Sequence, residues 1–390
     1  MLTQEPPREA TLPPPPKLLD DVGVWLFYPR GSRSEDVYTV GSITADRYLT
    51  VPGSKLQAVR AFMQQLNGRR TLEQIHEDMI REHGLEIDVI TLHRKFRRAG
   101  LLAGPGGNQG GDIQEMSATF LRLPIDRLLG WFQLLSPLAR PIAYLGAALI
   151  AVALVLLLAD PSFLRLMAKP AAADLSILGS AGLAILIAVL SMLLHELCHC
   201  YAASHWGILS GTVRIQLYLG AIPIVGLKLA GLYTLPPRGR LAVWSAGIFA
   251  NLSITAAALL ALRTVAPGSA PLELAAAINW LLAVFNLMPL LPTDGYFMLC
   301  TLVKDSNVRV RAWSWVRRPF RSGKKRPSVF VLAYIVSTVW LLFSTLRHLA
   351  ARIVNGGAKY PLWQSVLSLL LLALFLVTLW RTFRRTEESE

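Results

Sequence analysis

The chain has 390 residues, 53% of them hydrophobic and only 16% charged, with a mean hydropathy of +0.44. An ordinary soluble domain carries about 25% charged residues, so the composition excludes a soluble globular enzyme and a disordered chain alike. The net charge of +14 arises wholly after residue 124, because residues 1–124 hold 15 Lys+Arg and 15 Asp+Glu; a basic excess that travels with apolar sequence points to the positive-inside rule and not to nucleic acid.

Residues 1–17 (MLTQEPPREATLPPPPK) are polar and Pro-rich. They read as a disordered or polyproline tail and lack the apolar stretch of a signal peptide. Residues 18–104 read as a small α+β, winged-helix-like cytosolic domain: β-like stretches at 22–28 and 36–51, then three helices. Ser54 is expected to N-cap a helix over 55–67 that puts Val59, Phe62, Met63 and Leu66 on one face. Thr71 opens a T-L-E-Q capping box with Gln74, and Gly84 ends that helix. Asp88 opens a third helix that runs to Arg98 and stops at Gly100. Residues 105–119, Gly-rich at their start, form a linker.

From residue 120 the pattern changes to that of a mostly α, polytopic membrane bundle embedded in lipid. Residues 120–135 are expected as an amphipathic helix at the membrane surface. Six stretches are long enough to cross a core of about 30 Å: 138–159, 176–203, 241–263, 271–300, 328–346 and 361–380, the fourth broken by Pro289 and Pro292. The membrane core then covers 120–300, a basic loop 301–327, and a C-terminal transmembrane hairpin and tail 328–390. Segment 303–327 carries nine Lys and Arg against one acid, Asp305. With the basic residues of 204–240 and of the tail, it puts both termini in the cytosol. The loop 347–360, with Arg347, Arg352 and Lys359, fits that alternation less well.

The second span ends in SMLLHELCHC, which contains His195-Glu196-x-x-His199. Residues four apart are neighbours on one helix face. Two imidazoles there can hold one Zn²⁺ while Glu196 points off that axis and can act as base toward water. The bland alternative is a polar knot between helices, but ionisable residues inside a membrane span are costly and by default functional. A zinc site with two histidines needs a third protein ligand, and the candidate is the acid Asp294 in the fourth span. His195 lies about 29 Å along its helix from Ser176, near the cytosolic edge, and Asp294 lies at a similar depth in a span that Pro289, Pro292 and Gly295 unwind; the alternative for Asp294 is a solvated helix-end acid. Asn286 is either an oxyanion donor or a cap on backbone freed by Pro289. Gly247 and Asn251 are either part of the cleft or ordinary small-residue packing. Cys198, Cys200 and Cys300 lie in apolar surroundings and form no disulfide framework; the first two flank His199 as possible thiolate ligands or inert core. Segment 211–219 reads as a cytosolic-side strand, either an edge that pairs with extended substrate or a plain interfacial hairpin.

His195-Glu196-x-x-His199, Asn286-x-x-Pro289 with Asp294-Gly295, and Gly247-x-x-x-Asn251 between them resemble the site-2-protease type of intramembrane zinc metalloprotease over roughly 176–300. The resemblance implies one zinc per chain held by His195, His199 and Asp294, with Glu196 as the catalytic general base and with Asn286 and Asn251 as polar groups near the cleft. The family has Leu before its Asp-Gly where this chain has Thr293, and often Pro where this chain has Ile248.

The front domain, through YTVGSITADRY, LNGRRTLEQI and FRRAGLL, is similar to PqqD-like domains that bind precursor peptides. Together the two resemblances imply a bacterial inner-membrane peptidase that hydrolyses a membrane-associated or cytosol-delivered peptide or protein substrate, in precursor processing or beside an exporter or accessory membrane protein. The competing classes are a membrane-tethered DNA-binding regulator, suggested by Arg94, Lys95, Arg97 and Arg98 on the third helix, and a non-catalytic peptide-export component. The near neutrality of residues 1–124 disfavours the nucleic-acid alternative.

Overall fold

The computed structural model describes residues 15–29, 35–84, 87–103, 117–160, 177–218, 222–289, 293–305, 308–317 and 329–354, together with 373, 376 and 377. The chain divides into two compact units, Met1–Leu134 with Ala203–Gly239, and Leu135–Ala202 with Arg240–Glu390.

The first unit begins with β1 (Lys17–Leu18), β2 (Val22–Tyr28), β3 (Val37–Ser42) and β4 (Arg47–Pro52), followed by α1 (Leu56–Gln65), α2 (Leu72–His83), α3 (Val89–Arg98) and β5 (Leu102–Ala103). Strands β2, β3 and β4 form an antiparallel sheet in that order, and β1 pairs with β5, which ties the end of the domain to its start. The helical periods read from sequence converge on one core: Phe62, Ile75, Met79, Phe96 and Leu101 are fully buried with Val40 of the sheet. Full burial of side chains of this size contributes roughly 1.5–3 kcal/mol each. The capping box at α2 is complete, since Thr71 Oγ1 accepts from Gln74 N and the Gln74 side chain accepts from Thr71 N. Gly84 closes α2 in the left-handed conformation at φ 60°, and the Asp88 side chain caps α3 by accepting from Thr91 N at 2.8 Å. Ser54 does not cap. A 3₁₀ turn, Gly53–Lys55, precedes α1, no side chain caps that helix, and Ser54 N donates to Glu35, which lies just before β3, at 2.7 Å.

Two expectations for the next segment are corrected. Residues 120–135 do not form one amphipathic helix. Ser117–Pro124 is a strand, β6, and only Asp126–Leu134 is helical, as α4. The strand is stabilised by a partner far away in sequence, β7 (Gly211–Tyr218), which with β8 (Ile222–Leu229) completes a second antiparallel sheet in the order β6-β7-β8. The strand anticipated at 211–219 therefore exists, but its edges are both occupied, and no extended substrate can add to β7 itself. Pro223 sits on β8, at the outer edge of this sheet, where a missing N–H is tolerated. Within this unit the front domain grips the end of β8 and the turn that follows: Lys228 pairs with Asp46 at 3.0 Å, Gly231 N donates to the Tyr48 hydroxyl at 2.8 Å, and the Tyr233 ring packs on Tyr48 and Phe27.

The second unit is helical: α5 (Ala139–Ala159), α6 (Ile177–His205), α7 (Pro237–Thr264), α8 (Ala270–Leu287), α9 (Asp294–Leu302), α10 (Val308–Arg317) and α11 (Val329–Val354), α6 and α7 each beginning or ending in the first unit. Four helices are long and apolar enough to cross a membrane: Ser136–Ala159, Ala181–His205, Pro237–Thr264 and Ala270–Leu287. They match the first four expected spans, the last of which ends at the proline-bearing break, with α9 following as a separate helix. Of the remaining two expected spans, 328–346 falls on α11, a helix of 26 residues; 361–380 lies outside the described residues apart from three helical positions. The Pro-rich tail to residue 14, residues 105–116 of the expected linker, and most of the basic loop after Arg317 also lie outside them, while residues 117–119, expected as linker, belong to β6. Half of the most apolar window of α7 is buried, against 11% for those of α5 and α6. Thus α7 is the inner helix, and α5 and α6 turn apolar side chains such as Leu158 and Ile185 outward.

Candidate metal centre

Three side chains converge inside the second unit. His195 and His199 come from adjacent turns of α6, and Asp294 is the first residue of α9, 99 positions after His195. The chain reaches that position because Met288–Thr293 interrupts the helix after α8. Gly295 then allows the backbone to fold back so tightly that a Cβ there would collide with the carbonyl group of Leu287. Thr293, at the position where the resembled family has Leu, donates its hydroxyl to the Met288 carbonyl at 2.8 Å and so satisfies backbone that the break sets free. Trp244 of α7 stacks on Phe297 of α9 at 4.6 Å and holds the short helix against the inner helix. A carboxylate at a helix N-terminus also meets the positive end of the macrodipole.

The contact atoms form a nearly equilateral triangle. His195 Nε2 lies 3.1 Å from His199 Nε2 and 3.1 Å from Asp294 Oδ2, and His199 Nε2 lies 3.2 Å from the same oxygen. The two histidines are 6% and 5% exposed. Both imidazoles use Nδ1 elsewhere: His195 Nδ1 on Asn251 Oδ1 at 2.5 Å, and His199 Nδ1 on the Val243 carbonyl at 2.7 Å. A neutral imidazole that donates from Nδ1 has a bare Nε2. Two nitrogen lone pairs and a carboxylate oxygen therefore face one another in a buried site, an arrangement that repels itself unless a proton or a cation sits among them. Tetrahedral zinc with bonds near 2.0–2.1 Å spaces its ligands by about 3.3–3.4 Å, so the donor set fits that ion in type, number and spacing. Among the described residues, these three form the group able to hold a metal; Cys198 and Cys200 stand outside it.

Glu196, between the histidines, is half-buried on the neighbouring face of α6, as expected of a residue that does not ligate. Gly247 has a clearer role than helix packing: a Cβ there would enter the His195 ring, so the glycine of α7 is the floor on which that imidazole lies. Asn251, four residues on and fully buried, holds Nδ1 of the same ring. Asn286 is not drawn into these contacts; its amide donates to Leu282 O of its own helix at 3.1 Å. Two residues escaped the sequence reading. Asn279, fully buried on α8, accepts from Asn251 Nδ2 at 2.9 Å, and Ser191 of α6 accepts from Asn279 Nδ2 at 2.9 Å. The signal for Asn279 was present: a lone amide in AAAINWLL, inside a membrane-length helix where polar side chains are expensive.

Set against protein-family models, curated proteins and solved structures, the chain matches none.

Proposed function

We propose that this chain is an integral membrane zinc endopeptidase of the site-2-protease type, with a winged-helix-like, PqqD-like front domain that presents a peptide substrate from the cytosol. The observation that carries the proposal is the convergence of His195 Nε2, His199 Nε2 and Asp294 Oδ2 from two separate helices, with both Nδ1 atoms already committed to oxygens. A zinc ion held there supplies Lewis acidity, polarising a peptide carbonyl and acidifying water. Glu196 takes the proton from the attacking water and delivers it to the leaving amine. His195 and His199 stay neutral and oriented through their Nδ1 hydrogen bonds. The apolar helices exclude bulk water from the site. A hydrogen-bonded helical peptide is shielded from attack, so the substrate must be extended.

The membrane is the bacterial inner membrane in this proposal, with six spans, and the clustering of Lys and Arg in 204–240, 303–327 and the tail supports cytosolic termini. The grip of Asp46, Tyr48 and Phe27 on the end of β8 and the turn after it favours a front domain that serves the membrane enzyme over an independent DNA-binding module.

The test separates base from ligands. In the purified full-length chain, Glu196→Gln should retain zinc near one per chain while cleavage of a fluorescently labelled casein falls roughly 10²–10⁴-fold, the usual cost of losing a general base. His195→Ala and Asp294→Ala should lose zinc and cleavage together. Unchanged zinc in both ligand variants would refute the metal centre, and full activity in Glu196→Gln would remove the proposed base.

A further inference from the structure

Each metal-facing imidazole needs a bare Nε2, and each obtains it by donating from Nδ1 to an oxygen. For His199 the oxygen is the Val243 carbonyl, which can only accept, so the tautomer is decided locally. For His195 the partner is the side-chain amide of Asn251, which has two faces: its oxygen accepts and its NH₂ donates. Turned about, the same amide would push the proton to Nε2 and close the metal-binding lone pair. The choice between the two faces is made further away. Asn279 Nδ2 lies 2.9 Å from the Ala275 carbonyl and 2.9 Å from Ser191 Oγ. A carbonyl cannot donate, so the NH₂ of Asn279 must stand there and its Oδ1 must face the other way. That oxygen accepts from Asn251 Nδ2 at 2.9 Å, which turns Asn251 Oδ1 toward His195. Asn251 and Asn279 are 0% exposed and Ser191 and His195 are 6% exposed; the lattice of donors has no solvent neighbour to replace a missing member.

We infer that Asn279 is a positioning residue of the metal centre: anchored on the Ala275 carbonyl, it orients the Asn251 amide and through it sets the tautomer of His195. Asn279 touches neither substrate nor metal. The inference rests on the zinc reading above, and it assigns one backbone carbonyl, two side chains removed, the control of a ligand's lone pair.

The test measures zinc affinity of the full-length detergent-solubilised chain by competition with a chromophoric chelator, with thermal unfolding of the metal-free protein as a check on folding. Asn279→Leu removes the amide at similar volume and frees Asn251 to turn; zinc binding should weaken about 10–100-fold, as for other partners of metal-bound histidines. Adding Asn251→Asp should restore binding toward the native value, because a carboxylate accepts through either oxygen and needs no anchor. A packing defect at position 279 would not be repaired that way. Native affinity in Asn279→Leu, or a double variant as weak as the single one, overturns the inference; if Asn279→Leu does not fold, Asn279→Ala with and without Asn251→Asp is read by the same criteria. Zinc binding that His195→Ala leaves intact would instead refute the metal centre, whereas binding that needs His195 but ignores Asn279→Leu refutes only the anchor.

Discussion

Gly247 shows how much one missing methyl group decides in this centre. The His195 ring occupies the space where a Cβ of residue 247 would stand, and the ring cannot retreat, since Nδ1 is held by Asn251 and Nε2 faces Asp294. Gly247→Ala should therefore displace the imidazole, at an overpacking cost of about 1–3 kcal/mol, and zinc content should drop while the helix survives. Gly182→Ala on α6, where a Cβ meets nothing within 4 Å, is the matched control and should retain metal. Equal zinc in the two variants would show that the ring has another resting place. Asn286 stands at the opposite extreme: its amide serves Leu282 of its own helix, so Asn286→Ala should leave zinc binding unchanged, and any loss would be confined to turnover.

At the scale of elements, the short-range signals of the front domain were mostly sound where side chain and backbone partner are close in sequence. Thr71 and Gln74 close the capping box that their spacing implies. Thr71→Ala should cost about 1 kcal/mol, so exchange of the α2 amides should quicken about fivefold in the full-length chain. Ser54→Ala should have a smaller effect at α1, because a 3₁₀ turn leads into that helix and no side chain caps it; a larger effect from Ser54 than from Thr71 would contradict the caps described. The misreading of 120–135 has the same physical source. Strand β6 has no stability of its own and takes its conformation from the ladder with β7, 90 or so residues away. A period count over the segment alone has no access to that partner.

At the scale of the molecule, orientation follows from charge and not from packing. Segment 303–327 carries nine basic residues, so a single cysteine near Ser322, in a chain stripped of Cys198, Cys200 and Cys300, should resist an impermeant thiol reagent in intact cells. Labelling from outside would invert the protein and bring the metal centre to the other face. The front domain, balanced in charge, should bind duplex DNA weakly and with a shallow salt slope; a steep slope abolished by Ala at Arg94, Arg97 and Arg98 would favour a regulator over a peptide module.

The sequence by itself determined the membrane character, the residue types and spacing of His195 and His199, and the proline-bearing interruption before Asp294. Each of these depends on composition or on residues within a few turns of one another. Only the tertiary structure decided that the three ligand atoms meet within 3.2 Å, that Gly247 lies beneath a histidine ring, that β7 is a central strand, and that a carbonyl on α8 governs a tautomer on α6. Those facts depend on which helix faces which and on the direction of every donor between them, and in a buried network each donor is fixed by partners drawn from the whole chain.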